Sequence, residues 1–349
     1  MSAVMSVTGP VPVRDLGVTL AHEHLLMDGM CLWRQPTDVA RSWLVDAHVT
    51  PELFPELAVD PYHSRDNVRL DDPDEALRDL LAYRMAGGNS IVDLSSREIG
   101  PFPEHLRTLS EQSGLNVIAG TGFYIRKAHP KWVALADVRA VADAMRRDLL
   151  FGFNDTHIRA GVIGELGTSS PIHQDEVKVL RAAAAVQREV GVGINVHLTL
   201  FAKEGMRVLD ILEASGADLS RVALSHLDET LDFDYHRGLA ARGAFLEFDT
   251  WGSECEFRES RQREPMDGQR ADALSRLADA GYIDQLLLSQ DVCTKMQRRS
   301  RGGPGYDHIL VNVLPRLRQR GFAQADFDQM LITNPSRFLT GDSAPFTKC

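Results

Sequence analysis

Six residues of the chain have the types and the placing to hold metal ions. His22 and His24 flank Glu23, and in an extended segment residues i and i+2 project to one side, so both imidazoles can grip one ion. The spacing alone is a weak sign, because twelve histidines in 349 residues give roughly 0.4 such pairs by chance. Four further candidates close later apolar runs: Glu165 in GVIGEL, His197 in INVHL, His226 in VALSH and Asp291 in LLLSQD. Four imidazoles and two carboxylates suit a pair of divalent cations, with one carboxylate able to bridge them. Zinc fits this donor set, and manganese, cobalt and iron overlap with it. Two such ions could share a hydroxide at neutral pH, because metals lower the pKa of bound water; that hydroxide would be a nucleophile.

Residues this far apart need a scaffold that gathers strand ends. Short runs rich in Val, Ile and Leu alternate with helical spacing along nearly the whole chain. Strands are predicted at 17–24, 89–94, 116–122, 160–166, 193–198, 221–226, 244–249 and 286–291. Helices are predicted at 73–86, 135–150, 175–190, 205–214, 233–241, 269–280 and 306–320. Buried parallel strands with amphipathic crossovers, eight times over, point to a (β/α)8 TIM barrel, with an open doubly wound sheet as the rival. All six candidates then fall at C-terminal strand ends, the face where such barrels build their sites. Residues 1–349 read as one barrel domain. An irregular segment at 30–69 and a long loop at 250–267 stand outside the repeat.

Composition narrows the partners. The charge balance of 38 − 49 = −11, with no Lys/Arg block, argues against a nucleic-acid or anionic-membrane surface, so a small-molecule substrate is expected. With 44% hydrophobic and 25% charged residues the chain is ordinary globular protein. No apolar run approaches a membrane span, and the opening residues lack the basic-then-apolar pattern of an export signal, so the cytoplasm is the expected compartment. Cys31, Cys255, Cys293 and Cys349 share no close spacing and are expected as unpaired thiols.

The motifs TLAHEHL, GVIGELGTS, INVH, LSH, FLEFDTWG, SQD, GGPGYDHIL and ITNPSRFL together resemble the phosphotriesterase family of the amidohydrolase superfamily. The resemblance runs from about Val7 to Leu339. It implies a (β/α)8 barrel with a two-metal centre: His22, His24 and Asp291 on the more buried ion, His197 and His226 on the more exposed one, and Glu165 as the bridge. Phosphotriesterases proper and related lactonases carry a carboxylated lysine at the bridge. Glu165 supplies the same single charge and two oxygens, so the centre survives, but organophosphate hydrolysis does not carry over. In the glutamate-bridged branch lactone hydrolysis recurs and amide hydrolysis occurs. Family members are often homodimers, which makes a homodimer the implied assembly.

Further roles follow on the catalytic face. Asp291 is placed to take a proton from the attacking hydroxide and pass it to the leaving oxygen. Asp228 and Glu229 would either carry protons outward or supply favourable acidic charge to a helix start. Tyr124, in TGFY, lies where the family often has a residue near the substrate, or else packs against the rim; Trp251 would form an apolar wall or anchor its loop. Lys295 is expected at the substrate, and with Arg126, His129, Arg298 and Arg299 it would clamp a substrate carboxylate or phosphate, or else form a solvated surface. The leading expectation is a binuclear metal-dependent hydrolase opening a lactone or cleaving a related carboxylic ester. Its alternatives are a phosphotriester or amide hydrolase at the same site, and a non-catalytic ligand-binding barrel.

Overall fold

Eight short apolar segments form one parallel sheet in sequence order: β1 (Thr19–Glu23), β2 (Ser90–Asp93), β3 (Asn116–Thr121), β4 (Val162–Gly167), β5 (Ile194–His197), β6 (Val222–Leu224), β7 (Phe245–Phe248) and β8 (Leu286–Leu288). This computed structural model describes residues 2–100 and 102–342, so Cys349 lies outside the described residues. Every predicted strand is present, though each ladder is shorter than its apolar run. Ser289–Asp291, His226 and Asp249 lie just beyond the last paired residues, where the chain leaves the sheet and is free to aim side chains inward.

The sheet closes between β8 and β1 through Glu23, the residue between the two histidines. Its Oε1 accepts from Ser289 Oγ and from the Gln290 N–H, both at 2.7 Å, and its Oε2 accepts from the Val292 N–H at 2.9 Å. The His22 N–H in turn donates to Ser289 Oγ, and the Asp291 N–H to the His22 carbonyl. Burial pushes the Glu23 carboxyl up to about 7 despite these donors. The seam therefore locks the segment carrying His22 and His24 to the segment carrying Asp291.

Inside the barrel Ala21, Val92, Ile118, Val162, Ala223, Phe245 and Leu287 each come from a different strand and are fully buried. An antiparallel hairpin, Ala3–Ser6 with Gly9–Pro12, packs Val4 and Val11 against this layer, and Phe338 and Leu339 of the C-terminal helix join it. This packed plug leaves the opposite end of the barrel for chemistry.

The outer helices are α1 (Pro73–Met85), α2 (Pro103–Ser113), α3 (Val138–Leu150), α4 (Gln174–Val190), α5 (Gly205–Ala214), α6 (Phe233–Ala240), α7 (Asp267–Asp279) and α8 (Leu314–Gln319). Their starts are encoded locally. Asp72 caps α1 by accepting from the Asp74 and Glu75 N–H groups, with Pro73 in the first turn, and His173 with Glu176 forms a capping box on α4. Helix α2 was not expected: its apolar face is only Leu106 and Leu109, yet Pro103 opens it and Gly114, at φ 70°, ends it. The expected helix at 306–320 starts later, through a π turn at Ile309–Val313, because Tyr306 is buried and its hydroxyl donates to the His24 carbonyl at 2.7 Å.

Segment 30–69 is a chain of short helical turns, Val39–Asp46, Pro51–Leu53, Phe54–Leu57 and Pro61–His63. The loop at 250–267 holds a two-residue-strand hairpin, Glu256–Phe257 with Gln262–Arg263, and is tied to that segment by the Glu256 N–H to the Ala58 carbonyl and by Glu259 to Thr37. Among the described residues no helix is long and apolar enough to cross a membrane.

Candidate metal centre

All six sequence candidates meet at the C-terminal ends of the strands. Glu165 is central: its Oε1 lies 2.8 Å from His197 Nδ1 and 3.6 Å from both His22 Nε2 and His226 Nε2, and its Oε2 lies 3.8 Å from His24 Nε2. Asp291 Oδ1 lies 3.2 Å from His24 Nε2 and 3.8 Å from His22 Nε2. His226 Nε2 stands 2.8 Å from His197 Nδ1. His24 and Asp291 lie together beside His22, and His197 and His226 lie together beside Glu165, with His22 Nε2 within reach of both Glu165 and Asp291.

Backbone geometry serves this convergence. His226 has φ 60° and Asp291 φ 45°, left-handed conformations that side-chain-bearing residues adopt at a cost and that concentrate at functional sites. Gly164, at φ 141°, precedes Glu165, and a Cβ there would come within 2.8 Å of Asn195.

Three of the polar atoms facing the shared space lack a hydrogen-bond partner. His22 Nε2, Glu165 Oε2 and Asp291 Oδ1 are buried, yet among the described residues none makes a hydrogen bond. A buried orphan polar atom costs about 1–3 kcal/mol. Three lone-pair donors turned toward one space, within a set of imidazoles and carboxylates, are what a divalent cation satisfies. The residues therefore fit metal ions, and the groups His22/His24/Asp291 and His22/Glu165/His226 each bring their donor atoms within 4.8 Å of one another.

Two carboxylates that sequence reasoning did not single out stand behind the histidines. Asp249 Oδ1 accepts from the His226 backbone N–H at 2.8 Å and lies 3.1 Å from His226 Nδ1, while its Oδ2 lies 2.9 Å from His22 Nδ1. Glu247 Oε2 accepts from Asn195 Nδ2 at 2.6 Å and Ser225 Oγ at 2.9 Å, 3.4 Å from His22 Nδ1. A carboxylate on the far nitrogen fixes the tautomer that turns Nε2 toward a metal. The signal was legible, because FLEFD carries two acids at i and i+2 on a buried strand, the same alternation that marks His22 and His24. His24 Nδ1 is held by Ser95 Oγ at 3.0 Å.

Without a cation, the carboxylates of the cluster hold protons on two of the imidazoles, protons that a bound metal would displace. Burial opposes charge on His22 and His226, but the Asp249 carboxylate beside both holds them well above the ordinary imidazole value. Burial likewise opposes charge on Glu165, and His197, His226 and His22 around it hold it well below the carboxylate range. Burial carries His197 below the usual value, which favours its neutral form.

The centre opens into a cavity of about 660 Å³ lined by His24, Glu165, His197, His226 and Asp291, while His22 is sealed behind them. Tyr124 lines it too, its hydroxyl 3.4 Å from His197 Nδ1. Trp251 does not: it is 1% exposed and packs into the main hydrophobic core, so it anchors its loop and makes no substrate wall. Lys295 is also absent from the lining. Its ammonium is held by Asp66 at 2.7 Å and Asp71 at 2.9 Å, which ties the loop after β8 to segment 30–69.

The other expected cations are spent likewise. Arg126 pairs with Asp175, His129 lies 2.7 Å from the Tyr124 carbonyl, Arg298 binds the Leu25 carbonyl and Tyr306, and Arg299 pairs with Asp307. Asp228 and Glu229 lie buried against Arg270, at 3.2 and 2.7 Å. Cys31, Cys255 and Cys293 are free thiols, as expected.

The phosphotriesterase family model matches residues 2–339. The chain belongs to that family. An N-acetyltaurine hydrolase of Xenopus tropicalis is 34% identical over 343 residues, covering 97% of both chains. Among solved structures, a resiniferatoxin-binding protein from Rhodobacter sphaeroides superposes with TM-score 0.95 at 38% identity, covering 97% of this chain and 95% of that one. A mutant phosphotriesterase-like lactonase from Deinococcus radiodurans gives TM-score 0.77 at 28% identity over 96% and 99%. This phosphotriesterase-family chain is a hydrolase with a barrel fold and a cluster of residues able to bind metal.

Proposed function

We propose that the protein is a binuclear metal-dependent hydrolase that opens a lactone or cleaves a related carboxylic ester of a small molecule. His22, His24 and Asp291 would hold one divalent ion, His197 and His226 the other, and Glu165 would bridge them, with zinc the best match to the donors. The pair would supply a hydroxide near neutral pH and polarise the substrate carbonyl. Asp291, with a side chain 15% exposed and lining the cavity, can accept the nucleophile's proton and return it to the leaving oxygen. Asp249 and Glu247 hold the histidine tautomers, and Tyr124 presents a hydroxyl beside His197 to orient the substrate.

The observation that carries this reading is the convergence of six metal-competent side chains, several with orphaned buried donor atoms, at a cavity 660 Å³ in volume. A second reading, amide hydrolysis at the same centre, is favoured by the higher identity to the N-acetyltaurine hydrolase than to the lactonase, 34% against 28%. Proton release in a pH-stat from lactones, aryl esters, N-acyl amides and phosphotriesters, with metal-loaded and chelated protein, separates them. Acid release from lactones or esters that stops on chelation supports the first reading, metal-dependent cleavage of amides alone supports the second, and turnover unaffected by chelation sinks both.

A further inference from the structure

Beyond the metal-competent cluster the cavity has an aromatic wall assembled from three separate loops. Tyr62 comes from segment 30–69, Phe257 from the hairpin at 250–267 and Phe201 from the loop after β5. The Phe257 ring lies 5.8 Å from the Tyr62 ring and 5.7 Å from the Phe201 ring, tilted by 38° to the first and edge-on at 72° to the second. Both separations fall in the range of favourable aromatic pairs. Three loops from distant parts of the sequence thus converge on one apolar face beside the site.

The same wall holds the one lysine or arginine among the described lining residues, Arg34. Its guanidinium lies 5.4 Å from the Tyr62 ring centroid and 5.6 Å from that of Phe257. Its Nε and Nη2 both donate to Asp60 Oδ2, at 3.0 and 2.5 Å. Asp60 is fully buried, and its other oxygen accepts from the Tyr62 N–H at 3.0 Å, so the carboxylate is fixed where it neutralises Arg34. Outside the cluster the remaining charged lining residues are Glu254 and Glu264. At the wall itself, away from the cations the cluster would hold, an anionic group on the substrate would meet Glu254, Glu264 and an arginine already neutralised by Asp60.

We propose that this wall binds the uncharged, aromatic body of the substrate, and that the Arg34–Asp60 pair is the element that selects against anionic substrates. The inference rests on the proposed hydrolase for which bond is cut, but the binding itself does not require turnover.

Two non-hydrolysable probes test it: 2-acetylnaphthalene, neutral, and 6-acetylnaphthalene-2-sulfonate, the same ring bearing an anion that is a poor metal ligand. Calorimetric titration of the metal-loaded protein should give a Kd at least about tenfold lower for the neutral probe. In Asp60→Asn, which removes the negative charge against Arg34 without changing the shape of the side chain, the sulfonate Kd should fall at least about tenfold while the neutral probe moves less than twofold. Adding Arg34→Leu to Asp60→Asn should abolish that gain. Phe257→Leu, which keeps an apolar side chain, should weaken the neutral probe at least about fivefold in a protein whose circular dichroism spectrum at the titration temperature is that of the wild type.

Equal affinity of the wild type for both probes, or a sulfonate gain that survives Arg34→Leu, overturns the proposal. Turnover of aliphatic esters by a protein that binds neither probe also overturns it. Tight binding of the neutral probe by a protein with no metal-dependent turnover supports the wall and overturns the hydrolase reading alone.

Discussion

Replacing Glu165 by Gln is the sharpest perturbation, because shape and burial stay while one charge and one oxygen go. The amide nitrogen has no lone pair to offer a metal. If it takes the Oε1 position it faces His197, His22 and His226 at 2.8, 3.6 and 3.6 Å, and if it takes the Oε2 position it faces His24 at 3.8 Å. Either way one side of the proposed centre would lose an oxygen donor. Removing a partner one shell further out typically weakens metal binding 10–100-fold, so loss of a direct donor should reach about 100-fold, near 2.8 kcal/mol at 1.4 kcal/mol per decade. Metal content after dialysis should fall from two ions per chain toward one, and turnover at saturating substrate at least about a hundredfold. The assay is elemental analysis of dialysed wild type and Glu165→Gln, with chelator competition for the affinities and circular dichroism to verify the fold. Two ions retained at wild-type affinity in a folded Gln variant would refute the bridging role.

Other consequences follow from the same contacts. Asp249→Ala removes the acceptor for His226 and leaves His22 Nδ1 to Glu247 and Ser225, so metal affinity measured by chelator competition should fall about 10–100-fold. Lys295→Met breaks the tie to Asp66 and Asp71 and should cost about 1–3 kcal/mol in denaturant unfolding, with KM unchanged within twofold. Phe338→Ala opens a cavity under the barrel plug and should cost about 3–5 kcal/mol by the same measurement, with metal content unaltered. Burial raises the Glu98 carboxyl to about 7 from an ordinary 4.5. A carboxyl raised on folding contributes stability in full below pH 4.5 and loses it as pH rises through 7, at most about 3 kcal/mol, and unfolding curves of Glu98→Gln across that window should lack this loss.

The barrel was legible because a parallel strand buried on both faces must be continuously apolar, and eight such runs stand out between amphipathic helices. The six metal candidates were legible because each closes one of those runs. What escaped were residues whose role depends on distant partners. Glu23 sits in plain view between two histidines, but its work is to close the sheet against Ser289, Gln290 and Val292, some 270 positions away in sequence, and no local pattern encodes that. Lys295 and Trp251 have the types of substrate contacts. Their neighbours decide otherwise, two aspartates in one case and the core in the other. Arg34 and Asp60 lie in a segment without periodicity, so their pairing on the cavity wall appears only once the loops have folded over the site.

Diffraction from crystals grown with zinc, recorded on both sides of the zinc absorption edge, tests the central claim most directly. Two anomalous peaks about 3.5–4 Å apart, one among His22, His24 and Asp291 and one at His197 and His226, with Glu165 between them, are the expected result. A single peak, or none within reach of Glu165, would contradict a binuclear centre in this chain.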